Sequence, residues 1–328
     1  MRKFIIKTIL FLSLLIPAQI LIAHPSDKPN ELLILDYLLP HGAEIVYFGD
    51  STINWAGEHD KNNADMPKLL RLLLPKMKIL KISYPSYQMD VYAAYAQYIV
   101  QKGYHPKFVI VPINMRSFSP EWDRRPLWQF RKEQFVARHS NSLWMKFYQP
   151  LGVFKFFESN ISAWEYQQTK VYTGGALIGK VKDFDNPLYA SPNDEKTKRQ
   201  LLFRYMYDLT ADHRKIKSML HMVDVLKNNG IKVILYITPL DVQTGKKYLG
   251  DDFSQKLDKN VQLITSLLAG QGVPVLDFSK SLDTKYFTWW ENKKELYPNE
   301  HLQLLGRMFV VKNLVYKTDL KNYLRTNK

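Results

Sequence analysis

The sequence contains no cysteine, which excludes a disulfide framework, a thiolate metal site and a cysteine nucleophile. It also has no internal repeat, no low-complexity stretch and no recognisable RNA- or DNA-binding motif. Gly174 and Gly175 are not followed by a Gly-Lys-Ser/Thr run and so indicate a turn rather than a phosphate loop. We therefore expect no cofactor, no metal site and no nucleotide site, in a chain held together by an ordinary hydrophobic core.

The N-terminus has the composition of an export segment. Three basic residues flank a short apolar stretch that runs over residues 9–23: Arg2, Lys3 and Lys7. This pattern predicts a secretory signal over residues 1–23. An uncleaved membrane anchor is the alternative, although the stretch is short and contains Pro17. In both cases residues 24–328, which we expect to form a single domain, lie outside the cytoplasm, in a bacterial periplasm or at a cell surface.

Acidic residues are scarce relative to basic ones. The chain has 46 Lys and Arg against 31 Asp and Glu, a formal net charge of +15 at pH 7. In a cytoplasmic protein this balance would suggest nucleic acid, but no such motif is present and we expect no nucleic-acid partner. An exported basic protein more plausibly meets anionic glycans, lipid head groups or an acidic partner.

Five apolar runs alternate with helical segments, which is typical of a parallel sheet with crossover helices. The predicted strands are Glu44–Phe48, Ile79–Ile82, Phe108–Ile113, Lys232–Ile237 and Val273–Phe278. The predicted helices are Met66–Leu74, Met89–Gln101, His213–Asn228, Ser254–Leu268 and Leu305–Val315. The pattern predicts an α/β, flavodoxin-like, doubly wound sandwich of about five parallel strands.

The third and fourth predicted strands are much further apart than a crossover requires. We therefore predict a helical, aromatic-rich insertion over about residues 117–198, directly after strand three. It contains Trp122, Trp128, Phe130, Phe135, Trp144, Phe147, Tyr148, Phe154, Phe156, Phe157, Trp164, Tyr166 and Tyr172. These aromatics form either the insertion's own core or a lid or docking face near the carboxyl edge of the sheet.

Gly49-Asp50-Ser51 is the most informative stretch of the chain. It directly follows the apolar run Ile45–Phe48, so it predicts a tight turn that lifts a serine above the carboxyl edge of a sheet, where open α/β sheets keep their chemistry. His301, near the C-terminus, supplies the base that a serine nucleophile needs. The alternatives are that Ser51 only caps a helix and that His301 is a surface loop residue.

Together these residues resemble the SGNH (GDSL-type) hydrolase superfamily, whose nucleophile turn is Gly-Asp-Ser and whose late histidine is followed five residues on by glycine, here Gly306. The resemblance extends from about residue 43 to residue 309, apart from the insertion. It implies the SGNH hydrolase fold, with Ser51 as nucleophile and His301 as base. Gly49 and Asp50 would support the nucleophile turn.

The family also places an oxyanion-binding Gly after strand two and an Asn after strand three. Asn114 follows the third predicted strand, and Ser86 stands where the Gly would be. The resemblance therefore implies an oxyanion hole made by the Ser51 and Ser86 N–H groups and the Asn114 amide. The serine at position 86 retains the N–H, but a φ suited to glycine costs it more.

The family's acid normally lies three residues before the histidine, a position that Pro298 occupies here. The acid is then Glu300, which is adjacent but out of register, or a carboxylate elsewhere. Alternatively, a main-chain carbonyl orients the histidine, as some members of the family are thought to do. Loss of the acid weakens catalysis more than it abolishes it, because the third group only holds the imidazole's tautomer and orientation.

Three further residues are candidates for substrate binding. Arg116 could hold an anionic group in the cleft or form a surface salt bridge, and Trp289 and Trp290 could form a sugar-stacking wall or pack in the core. The resemblance implies an exported serine-dependent acyl-ester hydrolase or O-acyltransferase that acts on acylated carbohydrate or another ester. Some transferases of the family work beside a membrane acyltransferase, which is the partner that the resemblance implies here. The alternative is a non-catalytic glycan-binding or assembly protein on the same fold.

Overall fold

The structure is a computed structural model that describes residues 1–22, 29–55, 62, 64–124, 128–140, 194–292 and 295–324. Its centre is a five-stranded parallel sheet. The strands are β1 (Ile45–Gly49), β2 (Ile79–Ser83), β3 (Phe108–Ile113), β4 (Lys232–Ile237) and β5 (Val275–Asp277). They lie in the order β2-β1-β3-β4-β5, which is the flavodoxin-like order. The predicted α/β class and parallel sheet are confirmed.

Helices cover both faces of this sheet. In chain order, the α-helices among the described residues are α1 (Arg2–Ile22), α2 (Asn30–Leu38), α3 (Ser51–Asn54), α4 (Met66–Leu73), α5 (Met89–Gln101), α6 (Pro120–Arg124), α7 (Arg131–His139), α8 (Asp194–Tyr205), α9 (Arg214–Asn228), α10 (Val242–Leu249), α11 (Asp251–Gly270) and α12 (Leu304–Tyr316). The five predicted helices are all present, with ends that differ by at most three residues. Among the described residues, no helix is both long enough and apolar enough to span a membrane.

Successive residues of each strand serve opposite cores, because side chains alternate across a sheet. In β1, Val46 and Phe48 join the core beneath α2, α5, α9 and α11, whereas Ile45 and Tyr47 join the core beneath α4 and α12. All five residues of β1 are buried. This double burial explains why the strands appear in the sequence as continuous apolar runs.

A two-stranded antiparallel ribbon, β6 (Phe287–Asn292) and β7 (Glu295–Leu302), precedes α12 and was not predicted. The strand β7 is difficult to predict from the sequence, because it contains Pro298 and proline is normally confined to edge strands. In a ribbon of two strands, both strands are edges. The consequence for the site is that His301 lies on a strand and not on a surface loop.

The structure describes only the two ends of the predicted insertion. The chain leaves β3 through a short 3-10 turn, Met115–Phe118, and continues into α6 and α7. It is described again from residue 194, where α8 begins. Most of the insertion's aromatics, from Trp144 to Tyr172, lie outside the described residues.

Candidate active site

The turn after β1 is built around the carboxylate of Asp50. One of its oxygens, Oδ1, accepts hydrogen bonds from the Thr52 N–H (2.8 Å) and from the Thr52 hydroxyl (2.6 Å). Asp50 is therefore the N-cap of α3. Ser51 is the first residue of that helix and is only 7% exposed, so the capping role belongs to its neighbour and the serine hydroxyl is not needed for it.

Gly49 is required by close packing within the same turn. A Cβ atom at this position would lie 2.1 Å from Ile53 Cδ1 and 2.4 Å from Ile53 Cγ1. Ile53 is itself fully buried, so it has little room to move away. The short helix that begins with Ser51 can fold back onto the end of β1 only because residue 49 has no side chain.

Asn114, at the end of β3, lies beside this turn. Its Nδ2 donates to the other oxygen of Asp50, Oδ2, at 2.9 Å, and its Oδ1 accepts from the Arg116 N–H at 3.0 Å. The structure therefore brings together Ser51, Asp50 and Asn114, which are up to 64 residues apart in the sequence. They meet at the carboxyl ends of β1 and β3, the two strands at which the sheet order reverses and where such folds bind ligands.

Ser86 adopts a left-handed backbone conformation, with a φ of 68°. The Tyr87 N–H donates to the Tyr84 carbonyl at 3.1 Å, which closes a four-residue turn with Pro85 second and Ser86 third. Proline followed by a residue with positive φ is the pattern of a type II turn, whose third position is normally glycine. Ser86 thus holds a glycine-like conformation at the position where the SGNH pattern has glycine.

His301 lies at the C-terminal end of β7 and is 5% exposed. Its ring stacks on Trp55, with ring centroids 5.2 Å apart and planes inclined by 20°. Trp55 directly follows α3, and its N–H donates to the Ser51 carbonyl at 3.0 Å. The ring that faces the imidazole is therefore bonded through the backbone to Ser51, and α3 as a whole packs against β7.

The electrostatic environment keeps His301 neutral. Burial, and then the positive charges of Arg116 and Arg204, lower the pKa of the His301 imidazole from 6.5 to about 3. At neutral pH the ring therefore has a nitrogen that can accept a proton. A pKa this low also makes it a weaker base than a histidine poised near the operating pH.

Glu300 precedes His301 on β7, but its side chain contacts a different set of residues. It forms a buried ion pair with Arg116, and the Tyr205 hydroxyl donates to its Oε2 at 3.4 Å. Burial raises the pKa of the Glu300 carboxyl, Arg116 lowers it, and the nearby Asp50 carboxylate raises it further, so the net shift is upward. The structure therefore places the tentative acid against an arginine.

Arg116 is held in this cluster from two sides. Its guanidinium pairs with Glu300 and lies over the ring of Trp122, with the Cζ atom 4.0 Å from the ring centroid. It is largely buried, so it is not a surface salt-bridge residue. Any anionic group that it binds would have to share it with Glu300.

The two tryptophans of the candidate sugar wall lie on β6. Trp289 is opposite Pro298 and Trp290 is opposite Tyr297 in the ribbon, and the side chains of both lie outside the described residues. Two aromatics that the sequence did not single out for the site, Trp55 and Tyr205, contact His301 and Glu300 respectively. The only local signal for Trp55 is its place four residues after Ser51. Within the described part of the chain, no cluster of His, Asp and Glu side chains could hold a metal ion.

Comparison with known proteins provides no family for this chain. No protein-family model matches it, and no curated protein is significantly similar to it. Its function must therefore be inferred from the residues and contacts of the site.

Proposed function

We propose that this protein is an SGNH-type serine enzyme, either an acyl-ester hydrolase or an O-acyltransferase, with Ser51 as nucleophile and His301 as base. The observation that carries the proposal is the left-handed Ser86. A serine adopts this conformation at a cost, and here it does so where the family's turn needs a glycine to direct an N–H at the oxyanion. The Asp50-capped turn and the position of Asn114 support the same assignment.

In the proposed reaction the Ser51 oxygen attacks the acyl carbonyl carbon, and its proton passes to the neutral imidazole of His301. The N–H groups of Ser51 and Ser86, with the Asn114 amide, stabilise the negative oxygen of the tetrahedral intermediate. When the carbon–oxygen ester bond breaks, the proton goes to the leaving alcohol and the acyl group stays on Ser51. Water in a hydrolase, or a sugar hydroxyl in a transferase, then attacks the acyl carbon and gives its proton to His301. The acyl–serine bond breaks as that proton returns to the Ser51 oxygen.

Acylated carbohydrate of the cell envelope or of an extracellular polymer is the substrate class that we propose. The N-terminal export pattern and the net charge of +15 fit a protein that meets anionic glycans outside the cytoplasm. Arg116, close to the base, would favour a substrate with an acidic group. A membrane acyltransferase that delivers the acyl group would be a natural partner for the transferase form of the reaction.

A second function, a non-catalytic glycan-binding or assembly role, is favoured by one observation. Glu300 is engaged with Arg116, and the groups that shift the pKa of His301 lower it, whereas a triad acid would raise it. A protein with this role would keep its glycan binding when Ser51 is replaced by Ala. An enzyme would lose turnover under the same change while its affinity for the product glycan persisted.

The test is fluorophosphonate labelling of the full-length protein, with the modified residue mapped by mass spectrometry. This probe reacts with an activated serine hydroxyl and needs no knowledge of the substrate. We expect a single adduct on Ser51 that is absent from heat-denatured protein and from Ser51→Ala. A folded protein that acquires no adduct on Ser51 would overturn the enzyme proposal in favour of the glycan-binding role.

We also expect the rate of labelling to be insensitive to acid. Because the pKa of His301 is about 3, the imidazole stays neutral as the pH falls from 8 to 5, and the rate should change less than about twofold. A histidine with the usual pKa near 6.5 would be almost fully protonated at pH 5 and would lose about thirtyfold. The measurement is the second-order rate constant of labelling across this pH range, and a midpoint near pH 6.5 would contradict the lowered pKa of His301.

A further inference from the structure

Two residues other than glycine have a positive φ among the residues that the structure describes: Ser86, at 68°, and Phe130, at 47°. A bulky aromatic residue in this region is a genuine outlier. Such strain persists only where the surrounding structure over-determines it, and it is concentrated at functional sites. The two strained residues belong to different parts of the chain, since Ser86 follows β2 and Phe130 precedes α7 in the insertion.

The side chain of Phe130 packs against both ends of the turn that contains Ser86. Its ring meets Tyr87 edge-on, with centroids 4.8 Å apart and an interplanar angle of 89°. It also meets Tyr84 edge-on, at 5.9 Å and 81°. Edge-to-face pairs at these distances are favourable aromatic contacts. The first and last residues of the turn are therefore held by one ring from the insertion.

A second contact joins the same two segments through the backbone. Gln88, which follows the turn directly, donates from Nε2 to the Trp128 carbonyl at 2.7 Å. Trp128 lies two residues before Phe130, so the side chain of one segment is bonded to the main chain of the other. Gln88 is itself buried, and a hydrogen bond of this kind fixes the distance between the segments.

The opposite side of the turn is anchored to the rest of the site. The Tyr84 N–H donates to the Gly49 carbonyl at 3.3 Å, and Gly49 precedes Asp50 and Ser51. Tyr87 exchanges a hydrogen bond with the buried hydroxyl of Tyr95 on α5, at 3.0 Å. The Ser86 turn thus lies between the nucleophile turn on one side and Phe130 on the other.

Phe130 is in turn fixed by its own neighbours. The side chain of Gln129 donates to the carbonyls of Trp122 (3.0 Å) and Asp123 (2.8 Å). The Phe130 carbonyl accepts from the Gln134 N–H at 3.0 Å as α7 begins. Trp122 is the ring on which Arg116 lies, so the start of the insertion contacts the site at two separate points.

We propose that Phe130 is a positioning residue that holds the Ser86 turn in its left-handed form, so that the insertion completes the oxyanion hole. A glycine would adopt this turn on its own, and the serine in its place requires an external support. The inference rests on the proposed function, because the Ser86 N–H is given a catalytic use only there. It predicts that removal of the ring releases the turn and misplaces that N–H.

The first measurement is the rate of fluorophosphonate labelling in Phe130→Leu, with Phe130→Tyr as the conservative variant that keeps the ring. We expect Phe130→Leu to be slower by about 100-fold, the cost of a misplacement of about 1 Å at a reacting centre, and Phe130→Tyr to stay near the wild-type rate. The matched control is Phe135→Leu, because Phe135 lies on α7 and stacks on His139. A folded Phe130→Leu protein that reacts at the wild-type rate would overturn the proposal.

The second measurement combines Phe130→Leu with Ser86→Gly. Since glycine needs no support at this position, Ser86→Gly should restore most of the rate that Phe130→Leu loses. A ring that matters only for general packing would cause the same loss in both backgrounds. An undiminished loss in the double variant would therefore count against a role through Ser86, even if Phe130→Leu alone is slow.

The third measurement does not depend on catalysis. Crystal structures of the wild type and of Phe130→Leu report the φ of Ser86 directly, and we expect it to be positive in the wild type and to leave the left-handed region in the variant. A positive φ in both structures would reject the inference whether or not Ser51 reacts. Conversely, loss of the left-handed turn in a protein whose Ser51 never labels would support the positioning contact and overturn only the proposed function.

Discussion

Replacing Ser51 by Ala or His301 by Gln is expected to reduce kcat/KM for an activated acyl ester by about 10⁴-fold or more. In the proposed reaction the two residues act as one unit, because the serine oxygen is a weak nucleophile until a base accepts its proton. The double variant should therefore be no slower than either single variant, and the rate that remains should come from binding and the oxyanion hole. The measurement is steady-state hydrolysis of a short-chain nitrophenyl ester at pH 7.5.

Matched controls separate this effect from general damage to the fold. Ser266→Ala and His221→Gln replace exposed residues of α11 and α9 and should leave the hydrolysis rate unchanged. Circular dichroism and the thermal midpoint should be the same for the site variants and the controls. If Ser51→Ala is inactive while His301→Gln retains the rate within a few-fold, His301 is not the base.

Replacing Arg307 by Met is expected to lower the free energy of unfolding by about 3 to 5 kcal/mol, because it removes the donor of several carbonyl groups and each buried polar group left without a partner costs about 1 to 3 kcal/mol. Arg307, on α12, is fully buried. Its guanidinium donates to three carbonyls, those of Ala64 (3.1 Å), Leu302 (2.6 Å) and Asn62 (2.8 Å). Met fills a similar space but leaves the buried Ala64 and Leu302 carbonyls without their donor.

The same substitution should also change the rate at which Ser51 reacts with fluorophosphonate, because Arg307 bonds the carbonyl of Leu302, the residue directly after His301. The measurement is the free energy of unfolding from urea denaturation, followed by the fluorophosphonate rate under native conditions. Lys312→Met is the matched control, since Lys312 is exposed on the same helix and its loss should cost less than about 0.5 kcal/mol. A change of less than 1 kcal/mol for Arg307→Met would mean that the three hydrogen bonds add little to stability.

The sequence determined the sheet and the order of its elements. The central strands β1 and β3 are buried on both faces and so appear as unbroken apolar runs, and the predicted and observed ranges of β3 and β4 coincide. The turn after β1 is formed largely by local contacts, since Gly49, Asp50 and Ser51 are consecutive and the residues that shape the start of α3 are Thr52 and Ile53. Asn114 and Tyr84 add hydrogen bonds to Asp50 and Gly49 from segments that follow neighbouring strands. Because β1 and β3 are parallel neighbours, the residues that follow them had to meet at one edge of the sheet.

The turn at Ser86 is predicted in part by the local sequence and depends in part on tertiary contacts. Pro85 in the sequence indicates a turn, but a serine in the third position does not by itself predict a positive φ. Tyr84 and Tyr87, at the two ends of the turn, both contact Phe130, which is 44 residues beyond Ser86 in a segment whose local pattern says nothing about the turn. Pro85 favours a turn at this place, and the left-handed φ of Ser86 cannot be predicted from the local sequence alone.

Only the tertiary structure decided the surroundings of the base. Glu300 and His301 are adjacent in sequence, yet one pairs with Arg116 and the other stacks on Trp55, because successive side chains of β7 point to opposite faces. The partners of Arg307 lie up to 245 residues away in the chain. Contacts over such separations leave no periodicity in the sequence, since they depend on where independent elements dock and not on the local backbone preferences that composition and spacing record.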